Sequence, residues 1–169
     1  MNSRFDLFRR VLLAAALVLP SVYMPNAALA LAEHKHSAIT TVADFDASTW
    51  TKLLRSGPRP AAYVFTNSFC ATCPEAFDAL HQRVLASGKP VEMAAILMDV
   101  QGQRALAHAH HYAGVTKIYA FDGFEPAIRQ AVDPTWRNIT PYLVLVGKDG
   151  KLQRVTGQPD AKQLKAWLL

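Results

Sequence analysis

Apolar positions along this chain change their period several times, and each change marks an element. Ala61 to Thr66 is a continuous β-prone run that stops at Asn67 and Ser68. Past Cys70-Ala71-Thr72-Cys73-Pro74, residues Ala76, Phe77, Leu80, Val84 and Leu85 recur at helical spacing, which predicts a helix opened by Cys70 and running to about Ala86. Ser87-Gly88-Lys89-Pro90 closes it, and Pro74 falls in its first turn, where a missing N–H costs little. Val91 to Met98 is nearly all apolar, as suits a strand buried on both faces. Strand, helix and strand in this order imply a right-handed crossover and parallel pairing.

The flanking segments continue the pattern. Ile39 to Val42 reads as a short first strand, and Asp46 or Ser48 caps a helix through Trp50, Leu53 and Leu54 that ends at Ser56-Gly57-Pro58-Arg59-Pro60. Gln103 to Tyr112 is expected to be helical and to stop at Gly114. A strand over Ile118 to Phe121 and a helix over Phe124 to Val132 follow, ended by Asp133-Pro134. Ile139-Thr140-Pro141 then leads into Tyr142 to Val146, the turn Gly147-Lys148-Asp149-Gly150, and Lys151 to Thr156, an antiparallel hairpin at one side of the sheet. Pro159-Asp160 starts a terminal helix with Leu164, Trp167 and Leu168 on its inner face. No internal repeat or low-complexity linker interrupts the chain.

Residues 1–32 differ in kind. A basic start, the apolar run Val11 to Leu19, a break at Pro20 and small residues ending Ala28-Leu29-Ala30 or Ala30-Leu31-Ala32 have the make-up of an export signal that is removed. The run is too short to span a bilayer as a helix, so no stable membrane insertion is expected after processing. No cysteine near the cleavage point offers a lipid anchor. Arg9-Arg10-Val11-Leu12-Leu13 fits an ordinary basic leader as well as a minimal twin-arginine pattern. Residues 33–38, with His34 and His36, are expected to form a mobile new N-terminus, and residues 39–169 a single domain.

Composition narrows the function. The chain is 51% apolar, enough for a substantial core, and its 18% charged residues are too few for a disordered chain. The net charge of +5 falls to +3 without residues 1–32, with 15 basic against 12 acidic side chains. No Lys/Arg cluster is interleaved with aromatics, so nucleic acid is not an expected partner.

The two cysteines carry the candidate chemistry. A bridge between Cys70 and Cys73 closes too small a loop to stabilise much by chain entropy, and zinc would need a second ligand pair that does not follow in the chain. Redox exchange is the economical reading, with no cofactor beyond a redox-active Cys70–Cys73 disulfide. A helix N-terminus favours a thiolate, which makes Cys70 the attacking sulfur and Cys73, one turn on, the resolving one. His81 lies eleven positions past Cys70, about 16 Å along a helix axis, too far to share a metal with that sulfur, and reads as a surface side chain. His108 and His111, with His110 nearby, suit either a metal-binding face or the last turn of a helix, where the dipole favours them. Met93 and Met98 read as core rather than as copper ligands. Trp136 and Phe124 suit either a substrate groove or the core.

Strand, Cys-x-x-Cys helix, strand, insert, Thr-Pro before a hairpin and a final helix resembles the thioredoxin fold over residues 39–169. Phe69-Cys70-Ala71-Thr72-Cys73 and Thr140-Pro141 carry the likeness. It implies an α/β architecture, a central mixed sheet flanked by helices, with a strand-and-helix insert between the Cys-x-x-Cys unit and the hairpin. It also implies a cis Pro141 against the cysteine pair, with Thr140 free to pair with an extended substrate and Phe69 and Trp136 beside it. Within that superfamily the chain is most similar to exported TlpA-type thiol–disulfide oxidoreductases. The 71 positions from Cys70 to Pro141 leave room for their insert but not for the large helical insert of DsbA-type oxidases, and Asp133 to Pro141 resembles their approach to the proline. Three positions depart. Val64 stands where thioredoxin has a buried acid, Ala76 where many TlpA-type proteins have a glutamate (Glu75 is one position early), and Phe69 where tryptophan is usual.

The resemblance implies a periplasmic enzyme that reduces disulfides of other proteins, apocytochrome or copper-site cysteines among them, with a membrane electron-relay protein as reductant. Two alternatives stay open. Sco-type copper(I) metallochaperones share the fold, and soft thiolates suit Cu(I). They space their cysteines by three residues, however, and add a histidine near the hairpin, whereas here no histidine lies beyond His111. A disulfide-forming oxidase would run the same pair in the opposite direction, and Ala71-Thr72 alone does not set the potential.

Overall fold

The structure, a computed structural model, describes residues 39–169; the export segment expected over residues 1–32 and the mobile N-terminus expected over 33–38 lie outside the described residues. The chain forms β1 (Val42–Phe45), α1 (Ala47–Ser56), β2 (Ala61–Thr66), α2 (Cys73–Ser87), β3 (Glu92–Leu97), a 3-10 helix (Gly102–His111), β4 (Lys117–Phe121), α3 (Glu125–Val132), β5 (Tyr142–Val146), β6 (Leu152–Thr156) and α4 (Ala161–Leu168). The strands make one mixed sheet in the order β1-β4-β3-β2-β5-β6. The first four in that order are parallel, β5 joins β2 antiparallel, and β6 closes the hairpin on β5. Among the described residues no helix is long and apolar enough to cross a membrane.

The central strand explains the layering. All six residues of β2 are buried, and its alternation feeds two cores. Ala62 and Val64 face Phe77 and Leu80 of α2, Tyr112 and, from α4, Trp167. Tyr63 and Phe65 face Trp50 of α1 and Ile128 and Val132 of α3. Side chains close the helix ends: Asp46 accepts the Thr49 N–H at 2.6 Å, and Asp160 and Gln163 form a reciprocal capping box. The Trp167 indole donates to the Val146 carbonyl at 3.0 Å, which pins α4 to the sheet.

Three expectations are corrected. The first strand is Val42–Phe45, not Ile39 to Val42. Phe45 decides the shift: its ring is fully buried against Phe65, Tyr119 and Phe121, with ring centres 5.5 to 5.7 Å apart. A buried phenylalanine is worth roughly 3 kcal/mol or more, which a strand ending at Val42 would forgo. The Gln103 side chain completes this edge, its amide bonding both the N–H and the carbonyl of Val42 at 3.3 Å.

The segment Gly102–His111 is helical as expected but wound as a 3-10 helix, closed by Tyr112 N–H to Ala109 carbonyl at 3.1 Å. Side chains three apart share a face in either winding, so periodicity over ten residues does not separate the two. His81, expected at the surface, is 8% exposed. It belongs to the stripe Phe77, Leu80, His81, Val84, the spacing of a helix face turned inward. Its ring lies against Gly114, where an added Cβ would come within 2.1 Å of it.

Gly114 also has φ +78, and Gly88, the C-cap of α2, has φ +64 with open space around it. Gly88→Ala is therefore expected to cost only the left-handed conformation, about 1 to 2 kcal/mol. Gly114→Ala adds the clash with His81 and should cost roughly 2 to 4 kcal/mol. Denaturant unfolding of the two variants measures the difference, and equal losses would show that the His81 ring yields freely.

Candidate active site

The register of β5 on β2 builds the site. Phe65 pairs with Tyr142, so the residues that leave β2 lie beside those that enter β5, and Asn67 Nδ2 donates to Thr140 Oγ1 at 3.3 Å. On the other side β3 runs parallel to β2, and Met98 N–H continues the pairing to the Thr66 carbonyl at 3.0 Å. The Asp99 carboxylate then accepts the Ser68 N–H, at 2.8 and 3.1 Å from its two oxygens, and the Ser68 hydroxyl. Three segments thus converge where the parallel strands finish, the end at which open α/β sheets carry their ligand sites.

Cys70 and Cys73 stand on this platform as a disulfide, with Cα atoms 5.4 Å apart. The expectation that Cys70 opens the helix is corrected, because α2 begins at Cys73. An α-helix starting at Cys70 would need the N–H of residue 74 to satisfy the Cys70 carbonyl, and Pro74 has none. That carbonyl is taken instead by Cys73 N–H at 3.3 Å, a tighter turn, and the Ala76 N–H to Thr72 carbonyl bond of 3.1 Å follows it. Cys70 therefore sits one turn ahead of α2, still facing its positive end. The two residues differ in access: Cys73 is fully buried and Cys70 is half-buried. Beside them Phe69 is 78% exposed.

Val64 is fully buried in the core under this platform. The buried polar pair nearby is Thr66 and Tyr112, whose hydroxyls lie 2.9 Å apart. Burial pushes the Tyr112 phenol above its ordinary value, and the Asp99 charge adds to that push against the Thr66 hydrogen bond. Tyr112 thus holds its proton and packs its ring edge-on to Phe77 of α2, with centres 5.3 Å apart.

The approach to Pro141 is rigidly braced. Asp133 accepts the Thr135 N–H and hydroxyl, each at 2.8 Å, and the Tyr142 hydroxyl. Trp136 is buried, stacked on Tyr142 with ring centres 4.3 Å apart, and its indole donates to the Ile139 carbonyl at 3.1 Å. Asn138 turns the chain with φ 61, Ile139 is exposed, and the Thr140–Pro141 bond is cis. Of the residues singled out from sequence, Cys70, Phe69, Thr140 and Pro141 fall in the loops at this end of the sheet, Cys73 is the first residue of α2, and Trp136 braces the last of those loops. Phe124 is exposed just ahead of α3. His108 and His111 have ring centres 6.2 Å apart, and among the described residues no group of three or more His, Cys, Asp or Glu converges to hold a metal ion. Asp99 and Asn67 escaped the sequence reading, and their position just past the ends of β3 and β2 is the signal that points to them.

No protein-family model and no curated protein matches the chain. Solved structures do. A thioredoxin-related protein from Neisseria meningitidis serogroup B is similar with a TM-score of 0.51 at 20% identity, over 68% of this chain and 87% of that one. A thio-disulfide isomerase from Thermus thermophilus gives 0.49 at 21% identity, over 67% and 79%. A secreted Mycobacterium tuberculosis disulfide oxidoreductase homologous to E. coli DsbE gives 0.46 at 16% identity, over 80% and 97%. The first of these likenesses, together with the mixed six-stranded sheet and the Cys-x-x-Cys at a helix start, establishes a thioredoxin-like fold.

Asp99→Ala removes the acceptor that holds Ser68 and is expected to cost about 1 to 2 kcal/mol and to speed hydrogen exchange of the Ser68 and Cys70 amides. Asp99→Asn keeps one acceptor and should lose less. Unchanged amide protection in Asp99→Ala would show that the turn is held by the disulfide alone.

Proposed function

We propose that this protein is an exported thiol–disulfide oxidoreductase that works by dithiol–disulfide exchange through Cys70 and Cys73. The observation that carries the reading is the asymmetry of the pair, an accessible Cys70 facing the positive end of α2 and a buried Cys73 joined to it. In the reduced protein the Cys70 thiolate attacks one sulfur of a substrate disulfide. That S–S bond breaks, the departing sulfur takes up a proton, and a mixed disulfide forms on Cys70. Cys73 then gives up its proton and attacks the Cys70 sulfur, which releases the second substrate thiol and closes Cys70–Cys73. Two electrons pass from the dithiol to the substrate.

In this reading the substrate segment lies extended along Thr140 and Pro141, with the exposed Phe69 ring and the loop braced by Trp136 beside it. The direction is reductive, a membrane electron-relay protein restores the dithiol, and the substrates are periplasmic protein disulfides, apocytochrome or copper-site cysteines among them. Residues 1–32 direct export and are removed, leaving 33–38 as a short lead into the domain 39–169; the N-terminal pattern of basic, apolar and small residues supports this part.

Cys73→Ser should trap mixed disulfides with protein substrates, and Cys70→Ser should trap none. Non-reducing electrophoresis with mass spectrometry reads this. Exchange no faster than that of a free dithiol, together with tight binding of one Cu(I) through Cys70 and Cys73, would overturn the reading in favour of a copper chaperone. Export has a separate check: intact mass of the protein recovered outside the cytoplasm should lack about 30 to 32 N-terminal residues. Recovery of the chain with Met1 still attached and in the membrane would overturn that part.

A further inference from the structure

The segment from Asp133 to Tyr142 also borders a groove of about 510 Å³, a size typical of ligand sites. The groove lies at the Cys70 end of the sheet, since Tyr142 pairs with Phe65 near the end of β2 and with Thr156 of β6, which also lines it. The stacked rings of Trp136 and Tyr142 contribute apolar surface, and the exposed Ile139 stands at the rim. Arg137 and Arg154 supply positive charge.

These charges are not equally available. Burial alone would raise the Asp133 carboxyl, but hydrogen bonds from Tyr142 and Thr135 and the charge of Arg154 together hold it below the ordinary carboxylate value. Asp133 is therefore a committed anion. Arg154 is committed as well, its Nε 3.7 Å from Asp133 and its Nη2 donating to the Val132 carbonyl at 3.3 Å. Arg137 is exposed, and among the described residues its side chain makes no hydrogen bond or ion pair. The groove is thus mainly polar, with an apolar rim at Ile139 and one uncommitted guanidinium among its lining residues, and Arg137 is separated from Thr140 only by the turn at Asn138 and by Ile139.

We propose that this groove is a specificity subsite for protein substrates that carry a carboxylate side chain near the reactive cysteine, a proposal that rests on the exchange reading above. A segment extended along Thr140 passes the exposed Ile139 and brings the carboxylate to Arg137. Three residues of chain span at most about 10 Å, so the acid belongs within about three residues of the substrate position that pairs with Thr140. The pairing sits at an exposed rim, so it selects among substrates through encounter and orientation rather than through large affinity.

The test is single-turnover exchange. The protein is first reduced, so its own dithiol supplies both electrons and no donor is needed. The probes are three peptides, each with one internal disulfide and alike except for Glu, Gln or Lys three residues beyond one cysteine. The Glu peptide is expected to react about three- to fivefold faster than the Lys peptide at low salt, with Gln between them. The gap should shrink at about 0.5 M salt, invert in Arg137→Glu, and persist in Lys162→Glu on α4. Equal rates for the three peptides, or an order that survives Arg137→Glu, overturn the subsite and leave the exchange reading intact. Should no peptide react faster than with a free dithiol, the exchange reading falls. The groove is then decided by titrating the oxidised protein with the Glu peptide whose cysteines are replaced by serine. Shifts of the Trp136 indole and Ile139 amide resonances that vanish in Arg137→Glu support the subsite, and their absence overturns it.

Discussion

A sheet whose central strands all run one way presents at its finishing end only loops that depart from those strands. To bring the beginning of another strand to the same place, one partner must run in the opposite direction, and here β5 does so against β2. Thr140 and Pro141 reach the cysteine loop because of that single antiparallel pairing. Its register is locked by alternation: Tyr142, Val144 and Val146 face the α1 and α3 side, and Leu143 and Leu145 face α2. A slip of one residue would exchange the two sets and turn Tyr142 away from Trp136, Phe65 and Asp133 at once. The bond from Asn67 to Thr140 is the last link of a chain of contacts that begins in the core.

The cysteine pair itself depends on a missing hydrogen. Pro74 denies the Cys70 carbonyl the donor that would have wound Cys70 into α2, and the resulting tight turn leaves Cys70 half-buried and Cys73 under cover. The Asp99 carboxylate fixes the start of this turn from the neighbouring strand. The backbone on both sides of the pair is thus set by residues outside the Cys-x-x-Cys motif, which is why the motif alone says little about a site.

What was legible in the chain follows from what is local. The bounds of β2 and β5 were read correctly because both are continuous apolar runs stopped by polar or proline-containing breaks, and α4 because Asp160 and Gln163 cap it within four residues. The start of α2 was misplaced although Pro74 was in view, since the cost of a proline in a first turn depends on which carbonyl loses its donor. β1 was misplaced because the burial of Phe45 is repaid by Phe65, Tyr119 and Phe121, residues far along the chain. His81 was weighed only by its distance from Cys70, whereas its spacing from Phe77 and Val84 already puts it on the inner stripe. Asp99 and Asn67 were invisible for a different reason: a polar residue in a loop acquires its role only when the strand order decides which loop lies next to it.

The amide of Gln103 bears on the life of the protein before and between encounters. β1 lies at the border of the sheet, where unsatisfied backbone groups act as a template for another chain's strand. At Val42 both groups are already occupied by one side chain that imitates a neighbouring peptide bond. The border is thereby stoppered at its first residue, and a foreign strand would have to evict the amide before it could begin to zip along β1. A glutamine contributed by the 3-10 helix thus takes, at that residue, the place a neighbouring strand would fill.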